Sequence, residues 1–159
     1  MKIALSAVPE IVQRPDYDLI YVETVGPFEK LAPGAWETFW SHASDLDRST
    51  IRAMLGLSFI DPEKEGDDRF VYQAGVAVSA VPTGLTNPLK SRTVAAGKFA
   101  RFLLTGSYAQ LGQAYPLAFQ AIQENGLCIR TEFCAESYLN DPSVTPEAEL
   151  LTEILIPVE

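Results

Sequence analysis

The sequence predicts an α+β fold built from a tandem βαββ repeat with pseudo-twofold symmetry. Three observations predict it. A set of residues recurs at an offset of eighty. Each copy runs from a β-rich segment through a glycine into a helical apolar stripe. Each copy then closes with two apolar runs around an Asp-Pro turn. Gly26 and Gly106 define the offset, and at the same spacing Phe28 meets Tyr108, Leu31 meets Leu111 and Phe39 meets Phe119. Asp61-Pro62 meets Asp141-Pro142, and Val78 meets Val158. The identities are few, but they fall in register on a turn glycine, a helix face and a following turn.

The elements follow in order. The stretch from Lys2 to Val12 is a candidate additional strand. Tyr17 to Val25 contains Ile20, Tyr21, Val22 and Val25 and reads as the first strand of the first copy. After Gly26, the residues Leu31, Ala35, Trp36, Phe39, Trp40 and Ala43 lie at helical spacing. Pro33-Gly34 blurs the start of that helix, since proline is tolerated only in a first turn. Met54 to Ile60 and Arg69 to Val81 form a hairpin around Asp61-Pro62 and a charged turn. Residues 82–97 hold Pro82, Gly84, Asn87, Pro88 and Gly97 and read as the linker between copies. The second copy repeats the pattern over residues 98–159. Lys98 to Thr105 is its strand, and Ser107 with Gln110 three residues on is a capping-box pattern. Tyr108, Leu111, Tyr115, Phe119 and Ile122 make its helical stripe, with Pro116 as a candidate kink. Cys128 to Leu139 and Leu150 to Val158 make its hairpin. Two such units are expected to form one antiparallel sheet with both helices on one face, leaving a central cleft, a favoured place for a ligand.

Composition bounds the function. The chain has 159 residues, 47% of them apolar and 21% charged, which is ordinary for one globular domain and excludes a disordered or collagen-like chain. Twelve basic residues stand against twenty-one acidic ones, for a net charge of −9. A nucleic-acid binder needs a positive footprint, and the basic residues here are scattered. Solubility accounts for the acidity equally well, but a charged small ligand is expected to be a cation. Cys128 and Cys134 make neither a zinc site nor a disulfide framework, and read as small core or strand residues. No run of about 18 apolar residues and no signal peptide is present, so the protein is read as cytoplasmic.

No standard catalytic constellation, phosphate loop or metal motif appears, so no catalytic residue, cofactor or metal ligand is assigned. His42, the single histidine, reads as a solvated residue at a helix C-terminus. Trp36 and Trp40, four residues apart, share a helix face and serve either as core or as the lining of a groove. Tyr72, Phe99, Tyr108, Phe133 and Tyr138 add walls or core. Strand alternation puts Glu136 on one face with Cys134 and Tyr138. That face is either solvent or the groove, where the carboxylate would be a counter-ion for a cation and the rings would add cation–π attraction.

Several stretches resemble the GyrI-like family: Tyr21-Val22-Glu23-Thr24-Val25-Gly26-Pro27-Phe28, Gly97-Lys98-Phe99-Ala100 leading to Thr105-Gly106-Ser107-Tyr108, and Cys134-Ala135-Glu136-Ser137-Tyr138-Leu139-Asn140-Asp141-Pro142. The ending Glu149-Leu150-Leu151-Thr152-Glu153-Ile154-Leu155-Ile156-Pro157-Val158 does so too. The family includes a gyrase-inhibitory protein and the effector-binding domains of multidrug-responsive and AraC-type regulators. The resemblance covers Tyr17 to Val158. It implies paired βαββ units around a cleft that takes lipophilic, often cationic, aromatic compounds. It makes Glu136 the acidic group at the pocket floor, with Tyr138 in the same motif, and it places Trp36, Trp40 and Tyr108 at positions similar to cleft-lining ones. The chain departs from the regulators of this type in having no helix-turn-helix ahead of the domain, and it is expected to be a stand-alone module; its charge and hydropathy lead us to expect no direct nucleic-acid or membrane contact. Two other readings follow from relatives. One is a hydrolase of cyclopropane-type genotoxins, with Glu136 as acid or base and Glu37 as a guessed partner. The other is a protein partner, DNA gyrase or a separate regulator.

Overall fold

The computed structural model describes residues 3–130 and 132–159. The side chains of residues 28–33 lie outside that description, and with them the expected core roles of Phe28 and Leu31 and the packing of Pro33. Lys2, the first residue of the candidate N-terminal strand, also lies outside it. In chain order the described elements are β1 Ala4–Leu5, β2 Glu10–Arg14, β3 Tyr17–Val25, α1 Phe28–His42, β4 Ile51–Ile60, β5 Phe70–Val78, β6 Lys90–Val94, β7 Gly97–Thr105, α2 Leu111–Glu124, β8 Cys134–Tyr138 and β9 Leu151–Pro157. The described strand pairs are antiparallel, and the fold is α+β. Two compact units emerge: residues 15–96, and residues 1–14 with 97–159.

Within the first of these, the strand order is β4-β5-β3-β6. Ile20, Val22, Tyr72, Ala74, Val76 and Val78 point to one face, and Ala35 and Phe39 of α1, with Ala43 just after it, pack onto it. In the other unit β8-β9-β7 is extended by β2 and β1, both paired with β7. Ala100, Phe102, Leu104, Ile154, Ile156 and Val158 face Ala114, Ala118 and Ile122 of α2. The registers repeat at the offset of eighty: Val22 pairs with Ala74 and Phe102 with Ile154. Alternation of apolar residues with period two in the strands and three to four in the helices is what builds both cores.

Residues 82–97 do more than connect. They contain β6, which pairs with β3, just as β2 pairs with β7. Each copy's leading strand thus completes the sheet of the other unit. The short polar run Lys90-Ser91-Arg92-Thr93 carries little β signal, because an edge strand needs only backbone pairing and one buried residue, here Val94. The N-terminal run divides into β1 and β2 rather than one strand.

The two helices are not in the same phase. Ala35, Phe39 and the C-cap Ala43 are the buried triad of α1, whereas Ala114, Ala118 and Ile122 take that place in α2. Counted at the offset of eighty, the α2 triad is one residue early, a rotation of about 100°. A tight 3₁₀ turn, Tyr108–Gln110, precedes α2 and shifts its phase. Phe119, expected in the core stripe, is therefore 38% exposed while its counterpart Phe39 is fully buried. Ser107 caps this turn by accepting from the Ala109 N–H rather than from Gln110. Gly26 and Gly106 precede the helices with φ of 141° and 116°, a conformation that side chains disfavour, which is why the glycines recur.

Gly75 lies in mid-β5, and a Cβ there would come within 2.0 Å of the Ile20 carbonyl oxygen and 2.8 Å of the Tyr21 Cα. Backbone cannot move aside cheaply. Gly75→Ala is expected to cost about 3 kcal/mol. Gly112→Ala in α2, where a Cβ meets nothing within 4 Å, is expected to stabilise by about 0.5 kcal/mol. Urea unfolding of the two variants checks the contrast, and equal midpoints would contradict the packing described.

Candidate functional site

The site grows from β8. Alternation turns Cys134, Glu136 and Tyr138 to the sheet face that carries α2. Glu136 is buried there, 7% exposed. Two phenols hold its carboxylate. The Tyr115 hydroxyl donates to Oε1 at 2.8 Å, and the Tyr138 hydroxyl donates to Oε2 at 2.5 Å. The one-residue rotation of α2 puts Ala114, Ala118 and Ile122 on the sheet-facing line and moves Tyr115 to its flank, from where its hydroxyl reaches Glu136. Tyr108 closes one side, its ring edge-on to Tyr138 with centroids 5.3 Å apart.

No lysine, arginine or histidine pairs with Glu136 among the described residues. Burial pushes its carboxyl above the usual range, and the Tyr138 and Tyr115 hydroxyls pull it part of the way back. Cys134, beside it, is pushed up to about 11 by burial and by the Glu136 charge, so its thiol stays protonated. Glu153 offers the contrast. It is equally buried, but it faces the other side of the sheet and pairs with Arg101 and, at 2.9 Å, with Arg14. That carboxylate is compensated and fastens β2 to β7 through Arg14. Among the described residues the Glu136 carboxylate has the two phenol hydroxyls as its donors.

The counterpart of Glu136 at the offset of eighty is Gly56, and that of Thr152 is Tyr72. A Cβ on Gly56 would fall 2.1 Å from the Tyr72 hydroxyl oxygen, so the Tyr72 ring fills that space in its own unit. In the second copy the large ring is a threonine and the glycine is a glutamate. The repeat has exchanged a filled core position for a buried acid.

The other expected site residues are distributed as follows. Trp36 and Trp40 are half-buried on α1 and stack with centroids 6.4 Å apart. Trp36 Nε1 donates to the Tyr72 hydroxyl at 3.1 Å, and the Arg48 guanidinium lies 5.3 Å from the Trp40 ring centre. Tyr72 itself is buried with the core of that unit. Phe99 lies on the opposite sheet face from Glu136, against Phe133 and the Arg130 guanidinium. The structure thus gathers Glu136, Tyr108 and Tyr138, and places Trp36, Trp40 and Tyr72 together in the 15–96 unit. Sequence reasoning put Tyr115 in the helical core and missed its role, because no local pattern links it to a strand residue 21 positions on. A separate hollow of about 390 Å³ in the 15–96 unit is bordered by Glu23, Phe59, Asp61, Lys64 and Asp68. No group of His, Cys, Asp and Glu among the described residues is placed to hold a metal ion. No described helix is long and apolar enough to cross a membrane.

A carboxyl whose folded-state pKa is raised contributes stability below its unfolded value and loses it as pH rises through the folded one. Glu136→Gln is therefore expected to melt above the wild type at pH 8, with the difference closing below about pH 4. Each kcal/mol would show as about 2–4 °C. A melting difference independent of pH would contradict the uncompensated burial of Glu136.

The comparisons with known proteins agree with this architecture. The family model described as a GyrI-like small molecule binding domain matches residues 7–159. The C-terminal domain of EcmrR superposes with a TM-score of 0.78 at 17% identity, covering 100% of this chain and 99% of that one. SAV2435 bound to tetraphenylphosphonium gives a TM-score of 0.68 at 18% identity, covering 95% and 93%. A hydrolase from Listeria innocua gives 0.63 at 13% identity, covering 98% and 94%. At such identities these likenesses show the fold. No curated protein matches the chain by sequence. A family model spanning nearly every residue, over a fold with these neighbours, settles membership: the chain belongs to the GyrI-like small-molecule-binding domain family.

Proposed function

We propose that the protein binds hydrophobic, cationic aromatic compounds, with Glu136 as the counter-ion and Tyr108, Tyr115 and Tyr138 as its immediate surroundings. One observation carries the reading: a buried carboxylate that has two hydroxyl donors and no cation among the described residues. Burying a charge is costly unless it gains a partner, and a lipophilic cation is such a partner. The tyrosine faces add attraction for positive charge. SAV2435, similar in fold, was solved with tetraphenylphosphonium, a ligand of this chemistry. Trp36 and Trp40 remain aromatic candidates of their own unit, and Phe99 is left out of the proposed site.

A second reading, hydrolysis of a strained electrophile, has one supporting feature. A carboxyl raised by burial and flanked by phenols is suited to proton transfer. No second carboxylate touches it among the described residues. No feature of those residues favours a protein partner such as DNA gyrase.

Binding of a permanent cation should pull the Glu136 proton off. Affinity for tetraphenylphosphonium is therefore expected to rise with pH, by up to about tenfold per unit, below the raised pKa and to level off above it. Glu136→Gln is expected to weaken that cation at least about tenfold at pH 8, or about 1.4 kcal/mol. Neutral triphenylphosphine oxide should change less than about threefold in the same variant. Calorimetric titration of both compounds decides it. Equal losses for the two would remove the counter-ion role, and turnover of an electrophilic panel would favour the hydrolase.

A further inference from the structure

Two buried side-chain hydroxyls among the described residues have no hydrogen-bond partner: Tyr108 Oη and Thr152 Oγ1. Both belong to the surroundings of Glu136. Thr152 lies on β9 directly opposite Tyr138, and so diagonal to Glu136 on the same sheet face. Its side chain is wholly buried. Tyr108 packs its ring against that same Tyr138. Buried hydroxyls are almost always paired, and one left alone costs about 1–3 kcal/mol. Two such atoms around one tyrosine, next to a carboxylate without a described cation, contrast with the buried Glu153, which accepts from Arg14 and Arg101, and the buried Gln73, which donates to Glu23 and accepts from Arg92.

We propose that Tyr108 and Thr152 form a polar subsite that reads a hydrogen-bonding group on the ligand. The ligand class is then an organic cation with an oxygen or nitrogen acceptor close to its charged centre, rather than a purely hydrocarbon onium. The inference rests on the reading of Glu136 as counter-ion and adds a specificity to it. The donor is well defined. Burial and the nearby Asp141 charge both hold the Tyr108 phenol above its ordinary pKa, so it keeps its proton to donate. Thr152 offers a hydroxyl that donates or accepts as the ligand requires. A carboxylate for the charge and two hydroxyls for a neighbouring polar atom give a site with both attraction and orientation.

The test uses two cations of nearly equal shape, n-butyltriphenylphosphonium and 2-methoxyethyltriphenylphosphonium, which differ by one ether oxygen in place of a methylene. Their dissociation constants are measured on wild type, Tyr108→Phe and Thr152→Val. The preference for the methoxyethyl compound over the butyl compound is expected to fall about fivefold in Tyr108→Phe, the worth of one neutral hydrogen bond. A fall of at least about threefold is expected in Thr152→Val. A change in affinity that the two compounds share cancels from this preference, so the ratio reads the ether oxygen alone. The ligand-free Tyr108→Phe variant should melt at or above the wild type, because an unpartnered hydroxyl has been removed. An unchanged preference in both variants overturns the subsite while leaving the counter-ion reading intact. So does a drop of several degrees in the melting point of ligand-free Tyr108→Phe, which would mean that the hydroxyl serves the fold. Failure of both cations to bind the wild type overturns the subsite and the counter-ion reading together.

Discussion

A carboxylate buried between two phenol hydroxyls, with no positive charge among the described residues to balance it, is the constraint on which the account depends. Glu136 accepts from Tyr115 and Tyr138 and from no described cation. Two hydrogen bonds to a charge recover part of its lost hydration, and the remainder raises the carboxyl pKa. The protein therefore carries a stored deficit at one place on a sheet, and in the proposed reading a ligand with the opposite charge would relieve it. Its neighbour across the sheet, Glu153, shows what a structural carboxylate looks like in the same unit: two arginines, and a strand held in place.

The rest of the architecture serves to place that group. The repeat supplies a sheet position for it, and the second copy departs from the first where the site needs room. Gly56 under Tyr72 becomes Glu136 beside Thr152, so a ring's volume is given over to an acid and a small hydroxyl. The 3₁₀ turn before α2 rotates that helix by about one residue. Tyr115 then reaches the carboxylate, while its counterpart Ala35 stays in the core of the other unit. The identities between the two copies are few, and the shared apolar alternation keeps both cores intact.

Much of this was legible in the sequence, for physical reasons. The offset of eighty survives because turn glycines and apolar faces are imposed by backbone geometry and burial, which act alike on both copies. The strand Tyr17–Val25 is found with its ends in place, since its apolar alternation and the glycine after it bracket it. Glu136 and Tyr138 share a strand face by simple alternation. What could not be read is equally instructive. β6 is polar and lies in a segment rich in proline and glycine, and its pairing with β3 is decided by contacts remote in sequence. Phe119 looked like core because a helical stripe fixes spacing but not phase, and the phase depends on how α2 begins. Tyr115 had no local signal, since a hydroxyl aimed at a strand is a tertiary fact.

The most direct measurement is the ionisation of Glu136 itself, read from its carboxyl stretch in infrared difference spectra of wild type against Glu136→Gln across pH, without ligand and with tetraphenylphosphonium. The account predicts a ligand-free midpoint above the ordinary carboxylate value of about 4.3, and a clear downward shift when the cation is bound. A ligand-free midpoint at the ordinary value, or one that saturating cation leaves unmoved, would contradict it.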